Sequence, residues 1–177
     1  AKKDSKKDNR VYLYDSTLRD GAQTQGVDFS AIDKAMIATE LDALGIDYIE
    51  GGWPGANPTD DAFFADPPKL KTSRLVAFGM TRRAGRSTDN DPGLNALLGC
   101  GVDAVCMVGK SWDFQVRVAL GIEPQESLAM IGESVKRAVT EGKEVMFDAE
   151  HFFDGYKENP EYALASIRAA LESGARW

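Results

Sequence analysis

A chain of 177 residues, 43% of them hydrophobic, has material for one packed core of ordinary size. Its 21 Lys and Arg against 28 Asp and Glu leave a net charge of −7, which argues against nucleic acid and anionic membrane as partners. No apolar run approaches the ~18 residues of a membrane helix, no signal-peptide segment opens the chain, and two sparse cysteines, Cys100 and Cys106, form no CxxC motif and fit a reducing cytoplasm.

Residues 1–10 carry Lys2, Lys3, Lys6, Lys7 and Arg10, interrupted by Asp4, Ser5 and Asp8, and read as a solvated tail ahead of one domain over 11–177. Val11, Tyr12, Leu13 and Tyr14 make the first strand. Ser30 is an N-cap, Ile37, Leu41 and Leu44 form an apolar stripe at helical spacing, and Gly45 closes that helix in the left-handed conformation. Strands follow over 47–50, 75–79, 104–108 and 145–147. Cys106 falls in an apolar run and reads as a core residue. Between these strands lie a short helix over 92–98 and a longer one with the stripe Leu128, Ile131, Val135 and Val139. Asn159 caps a last helix with Pro160 in its first position. Leu164, Ile167 and Leu171 are its expected buried face, and Gly174 ends it.

The helix-to-strand junctions are short and begin with glycine, at Gly45, Gly101, Gly142 and Gly174, as parallel α/β units require. Trp177 is then the first residue of a sixth strand. Five parallel strands fit a doubly wound domain or part of a (β/α)8 barrel, which typically needs ~250 residues. A rhythm that stops at Trp177 favours an incomplete TIM barrel: its N-terminal five βα units plus the start of strand six.

In a barrel, the residues just past the strand ends meet at one mouth. The first strand supplies Arg19 and Asp20 there, the second Glu50 and the loop Gly51-Gly52-Trp53-Pro54-Gly55, and the fifth Asp148, Glu150 and His151. Carboxylates and an imidazole suit a divalent metal, and Arg19 is a permanent forked cation able to stabilise an enolate or carboxylate oxygen. Each has a plainer reading. Arg19 and Asp20 could be a surface ion pair in a turn, and Glu50 a partner that orients Arg19. The single histidine, His151, suits a structural role, Phe152 and Phe153 suit packing, and Trp53 could shape a pocket or close a loop. The polar stretch over 82–92 is a loop at the mouth or merely a surface loop.

The string Tyr14-Asp15-Ser16-Thr17-Leu18-Arg19-Asp20-Gly21-Ala22-Gln23 resembles the signature of the HMG-CoA-lyase-like, pyruvate-carboxylase-like family of metal-dependent barrels. That family includes the 2-isopropylmalate, homocitrate and citramalate synthases. The segments at 47–55, 77–83 and 147–155 look like strands two, three and five of its citramalate synthase branch. The resemblance covers 11–177. It implies an acyltransferase of amino-acid (isoleucine or leucine) biosynthesis that joins acetyl-CoA to a 2-oxo acid, with pyruvate giving citramalate, by a Claisen-type condensation. Other readings are 2-isopropylmalate or homocitrate synthesis, the reverse C–C cleavage of a lyase, and a non-catalytic barrel fragment.

By the same resemblance, Asp20 ligates a divalent metal (Mg, Mn or Zn), Arg19 stabilises the developing oxyanion, Glu50 holds Arg19, and Glu150 does acid–base work near the acetyl methyl group. Phe78, Met107 and Asp148 are expected to line the keto-acid pocket. The full-length parent is expected to be a homodimer. The family completes its metal site with a His-x-His pair and a threonine from later strands. Neither is present before Trp177, so the chain alone is expected to bind metal weakly and not to turn over.

Overall fold

The computed structural model describes residues 10–177, so residues 1–9 of the tail expected over 1–10 lie outside the described residues. Arg10 departs from that reading: its guanidinium pairs with the Asp47 carboxylate and lies 4.7 Å from the Tyr12 ring centroid.

Five parallel strands are laid down in chain order, β1 (Tyr14–Asp15), β2 (Tyr48–Gly52), β3 (Arg74–Met80), β4 (Ala104–Lys110) and β5 (Glu144–Glu150). Sequential order in an all-parallel sheet, with a helix at each crossover, is the arrangement of a barrel rather than of a doubly wound sheet, whose order reverses at a switch point. After β5 the chain turns back and begins another rung. Arg176 N–H donates to Val145 O at 2.8 Å, and Phe147 N–H donates to Trp177 O at 2.8 Å. The fold is thus five βα units of a TIM barrel with the start of strand six.

Strand alternation sorts the apolar residues onto two faces. Ile49, Ala77, Val105, Met107 and Val145 face the helices and build the larger core with Phe63, Leu94, Leu97, Ile131 and Val135. Tyr48, Val76, Phe78, Ala104, Cys106, Val108 and Met146 face the inside of the curl. Cys106 is buried there, as expected. Met107 is not where the pocket argument needs it. Parity turns it to the helical layer, fully buried, so it cannot narrow a pocket at the mouth.

The helices are α1 (Ala31–Leu44), α2 (Pro58–Ala65), α3 (Pro92–Gly99), α4 (Asp113–Gln115, continued by a wide turn over Val116–Leu120), α5 (Pro124–Thr140), α6 (Phe152–Glu158) and α7 (Pro160–Glu172). Their starts follow local chemistry. Ser30 and Asp33 form a capping box on α1, while Asn57, Asp91 and Asn159 cap α2, α3 and α7 with proline in the first turn of each.

Several expectations fail in whole or in part. Only Tyr14 and Asp15 of the first strand reach the ladder, and Val11 is 79% exposed. On α1 the expected stripe holds only in part: Ile37 and Leu41 are half-buried against the larger core, Leu44 is exposed, and the fully buried positions are Lys34, Ala38 and Asp42. On α7 the buried face is Tyr162, Ala163, Ser166 and Ala170, while Leu171 is 63% exposed and Leu164 and Ile167 are also at the surface. There the small residues Ala163, Ser166 and Ala170 take the buried face, and the bulkier stripe lies on the flank. On α5, Ile131 and Val135 are buried as expected and Val139 is not.

Candidate active site at the strand C-termini

Arg19 is placed by the turn after β1, in which the N–H groups of Arg19, Asp20 and Gly21 all point at Ser16 O. Its guanidinium lies over the Phe78 ring, 3.9 Å from the centroid, and its Nε donates to Glu50 Oε2 at 2.8 Å. A second edge, at Nη1, reaches Asp20 Oδ1 at 3.1 Å. Glu50, only 1% exposed, accepts on its other oxygen from the Tyr14 hydroxyl at 2.8 Å. Both Glu50 oxygens are therefore engaged, and Arg19 is fixed through a charge-assisted bond, a ring face and a neighbouring carboxylate. The plain surface ion pair offered for Arg19 and Asp20 does not describe this. Arg19 is largely buried, whereas Asp20 is solvent-facing.

The electrostatics follow from burial. Burial pushes the Glu50 carboxyl up, and the bonds from Arg19 and Tyr14 only partly offset it. Burial also raises the Tyr14 hydroxyl, helped by Cys106 and Glu50, and pushes the Cys106 thiol up to about 12. Arg19 is held above its usual value because Glu50 outweighs the burial that opposes its charge. Asp148 is raised, by burial first, with Arg19 pulling the other way and Glu150 and Asp20 adding to the rise. Asp20, Glu150 and Arg19 thus each lie within electrostatic reach of Asp148.

Glu150 ends β5 directly across from Lys110, the last residue of β4, and the two form an ion pair. They stand on the wall of a cavity of about 410 Å³ at the ends of β3, β4 and β5. Trp53, Met80, Arg82 and Leu120 also line it. Trp53 packs edge-on against Phe78, with centroids 5.4 Å apart, which joins the cavity to the Arg19 cluster. The stretch over 82–92 is part of this wall. Arg82 is buried against Glu126 and Glu133, so the loop is strapped to α5. His151 is at the rim in a left-handed conformation (φ 58°), with its ring 6.1 Å from that of Trp112. Of the two phenylalanines assigned to packing, Phe153 is exposed.

A solvent-facing carboxylate beside a fixed cation suits one arm of a divalent site. Among the described residues, no group of three or more His, Cys, Asp and Glu is arranged to hold a metal ion. Sequence reasoning also missed Tyr14 and Phe78 as supports of Arg19, and Lys34, Asp60 and Lys110. A lysine spaced four and eight residues from Ala38 and Asp42 on a helix was the available signal for Lys34.

A partial barrel with an arginine–carboxylate cluster at its C-terminal rim defines a class of enzyme scaffold whose chemistry sits at the strand ends. The HMGL-like family matches residues 10–177, and the chain belongs to that family. Over 170 residues it is 51% identical to the (R)-citramalate synthase of Aquifex aeolicus, covering 95% of this chain and 32% of that protein. It is 46% identical over 173 residues to that of Synechocystis, covering 97% of this chain and 32% of that protein. The 2-isopropylmalate synthase of Solidesulfovibrio magneticus is 32% identical over 169 residues, with 95% and 32% covered. Among solved structures, the HMG-CoA lyase of Bacillus subtilis superposes with a TM-score of 0.73 at 19% identity, covering 94% of this chain and 56% of that one. The chain thus spans about a third of the length of the curated relatives it matches.

Proposed function

We propose that these residues form part of the mouth of an (R)-citramalate synthase, which condenses acetyl-CoA with pyruvate. The observation that carries this reading is the Arg19 guanidinium, clamped by Glu50 over Phe78 with Asp20 beside it. The identity to citramalate synthases supports the choice of pyruvate among 2-oxo acids.

In this reading Glu150 takes a proton from the acetyl methyl group. The resulting carbon nucleophile attacks the ketone of the 2-oxo acid, a C–C bond forms, and the ketone π-electrons move onto oxygen. Arg19 faces that oxyanion with a donor edge whose direction Glu50 and Tyr14 fix in advance, so little reorganisation accompanies the charge that develops. The alkoxide takes up a proton, Glu150 gives up the one it removed, and water hydrolyses the thioester to a carboxylate with release of the CoA thiol. The cavity bounded by Trp53 and Lys110 is the space for the acyl thioester arm. Asp20 would hold a divalent ion (Mg, Mn or Zn), which when bound supplies polarisation of the ketone. Because Asp20 is the one matched ligand, the 177-residue chain by itself should bind such ions weakly and show no turnover.

The test is a chimera in which this chain replaces the matched residues of the Aquifex aeolicus enzyme. Thiol release that requires both acetyl-CoA and pyruvate is the expected result. A folded chimera that prefers a branched 2-oxo acid would support the 2-isopropylmalate reading instead. That alternative gains from one observation: Met107 points away from the mouth and leaves the pocket unnarrowed.

A further inference from the structure

On the face of β2 opposite Glu50 there is a second buried charge pair. Lys34 projects from α1 and is 3% exposed, and Asp60, at the start of α2, is 6% exposed. Their ammonium and carboxylate are in direct contact, and both side chains are shielded from solvent. Lys34 Nζ also donates to Gly51 O at 3.1 Å. The free oxygen of Asp60 accepts from the Trp53 backbone N–H and from Asn57 Nδ2, both at 2.9 Å. Between these contacts the β2–β3 register slips by one residue, from Glu50 to Gly52. Gly52 adopts φ 153°, and a Cβ there would lie 2.6 Å from the Asp60 carboxyl. The strand exit is thus gripped at Gly51, Gly52 and Trp53, the three residues that follow Glu50.

We propose that Lys34 and Asp60 are positioning residues that set the bulge at Gly51-Gly52 and thereby aim Glu50, and through it Arg19, on the opposite face. The inference rests on the functional reading above for its significance, but not for its geometry. A bulge re-aims the side chains beside it. Here the residue before the bulge clamps the guanidinium, and the residue after it, Trp53, packs against the same Phe78 that carries that guanidinium. An apolar pair of equal volume would fill the space at lower desolvation cost, but it could not hold both the Gly51 carbonyl and the Trp53 N–H.

The test reads the nitrogen-15 spectrum of the 177-residue chain. Asp60→Asn preserves the shape of the side chain and removes its charge. The expected result is a variant with unchanged circular dichroism in which the Arg19 Nε–H and Trp53 amide cross-peaks shift or are lost, while the Leu94 amide, bonded to Asp91 elsewhere, stays in place. If a folded Asp60→Asn leaves the Arg19 signal where it was, even with the Trp53 amide moved by loss of its own bond to Asp60, the pair is merely structural and the proposal falls. Should Asp60→Asn fail to fold, Asp60→Glu, which keeps the charge and moves it by one methylene, is judged by the same Arg19 signal. That signal needs no substrate. Its movement alongside a chimera that makes no citramalate would sink the condensation reading and leave the positioning role standing.

Discussion

A guanidinium and an ammonium carry the same charge, yet only the guanidinium can donate through Nε to Glu50 and turn another edge to Asp20 while it sits over Phe78. Arg19→Lys in the chimera should therefore lower kcat by about 10²–10³-fold, the range for losing a preorganised oxyanion donor. KM for pyruvate should move far less, because the contact matters most once the oxygen is charged. Asp91 shows the same economy of one group serving two donors. It accepts from Leu94 N–H and Arg83 N–H, each at 2.9 Å, and so caps α3 and pins the loop over the cavity. Burial pushes its carboxyl up, but those two bonds and the charges of Arg83 and Arg86 outweigh it, leaving it below the usual range. A depressed carboxyl stabilises the fold above its unfolded value of ~3.9, and that contribution is lost as the pH falls through the folded value. Asp91→Asn, which keeps the cap, should be less stable than the parent at pH 7, and urea melts of the two should converge as the pH falls below the ordinary carboxylate range. Asp91→Ala should cost about 1 kcal/mol at pH 7. At this scale Arg19, Asp20 and Glu50 were legible because a motif follows a strand. Tyr14 and Phe78 were not, because apolar runs do not announce which of their members will carry a charge. Met107 was misread because a strand-end argument needs parity, and parity needs the true register.

At the scale of elements, the sequence revealed where helices begin better than which face they bury. Ser30 and Asn159 were read as caps, because local chemistry decides a helix start, whereas the caps Asn57 and Asp91, and the helix α2 itself, were not foreseen. The buried stripe depends instead on how close a helix comes to the sheet. Gly79 and Gly109 illustrate this: a Cβ would meet Leu97 at 2.8 Å and Phe147 at 2.8 Å, so these glycines on the outer face of β3 and β4 admit a helix side chain or a neighbouring ring. The tightest such approach is at α6, where a Cβ on Gly155 would stand 2.3 Å from Ser111 O. The obstacle is main chain just beyond β4, which cannot swing aside. Gly155→Ala should therefore cost about 1–3 kcal/mol, the usual range for overpacking, measured by urea denaturation. Because α6 follows Glu150 and His151 at the end of β5, the same change should disturb the Trp112 indole, whose Nε1 donates to Glu158 of α6 at 3.0 Å, and alter its fluorescence. Gly132→Ala on α5, where the nearest side-chain atom is the Ser173 hydroxyl at 3.3 Å, is the milder control.

For the molecule as a whole, the sheet has two edges. β1 contributes a two-residue ladder preceded by exposed Val11 and Leu13, and beyond β5 the pairing continues only through Arg176 and Trp177 among the described residues. Beside the second edge, α7 displays Leu164, Ile167 and Leu171 to solvent. The bottom of the curl is better closed. Tyr12, Tyr48 and Trp177 pack with ring centroids 5.1–6.3 Å apart, and Glu144 gathers Tyr48, Trp177, Arg74 and Arg176. Hydrophobic surface and open strand edges favour association, which a net charge of −7 opposes at long range but not at contact. The 177-residue chain should thus be monomeric when dilute and associate as its concentration rises. Sedimentation velocity should show the shift, and added salt should strengthen it by screening the repulsion. Leu171→Lys puts a cation on the most exposed residue of the α7 stripe without touching its buried face. It should move association to higher concentration while leaving the melting temperature within a few degrees. If that variant associates as readily as the parent, the contact surface lies elsewhere, and the strand edge at β1 becomes the place to cut.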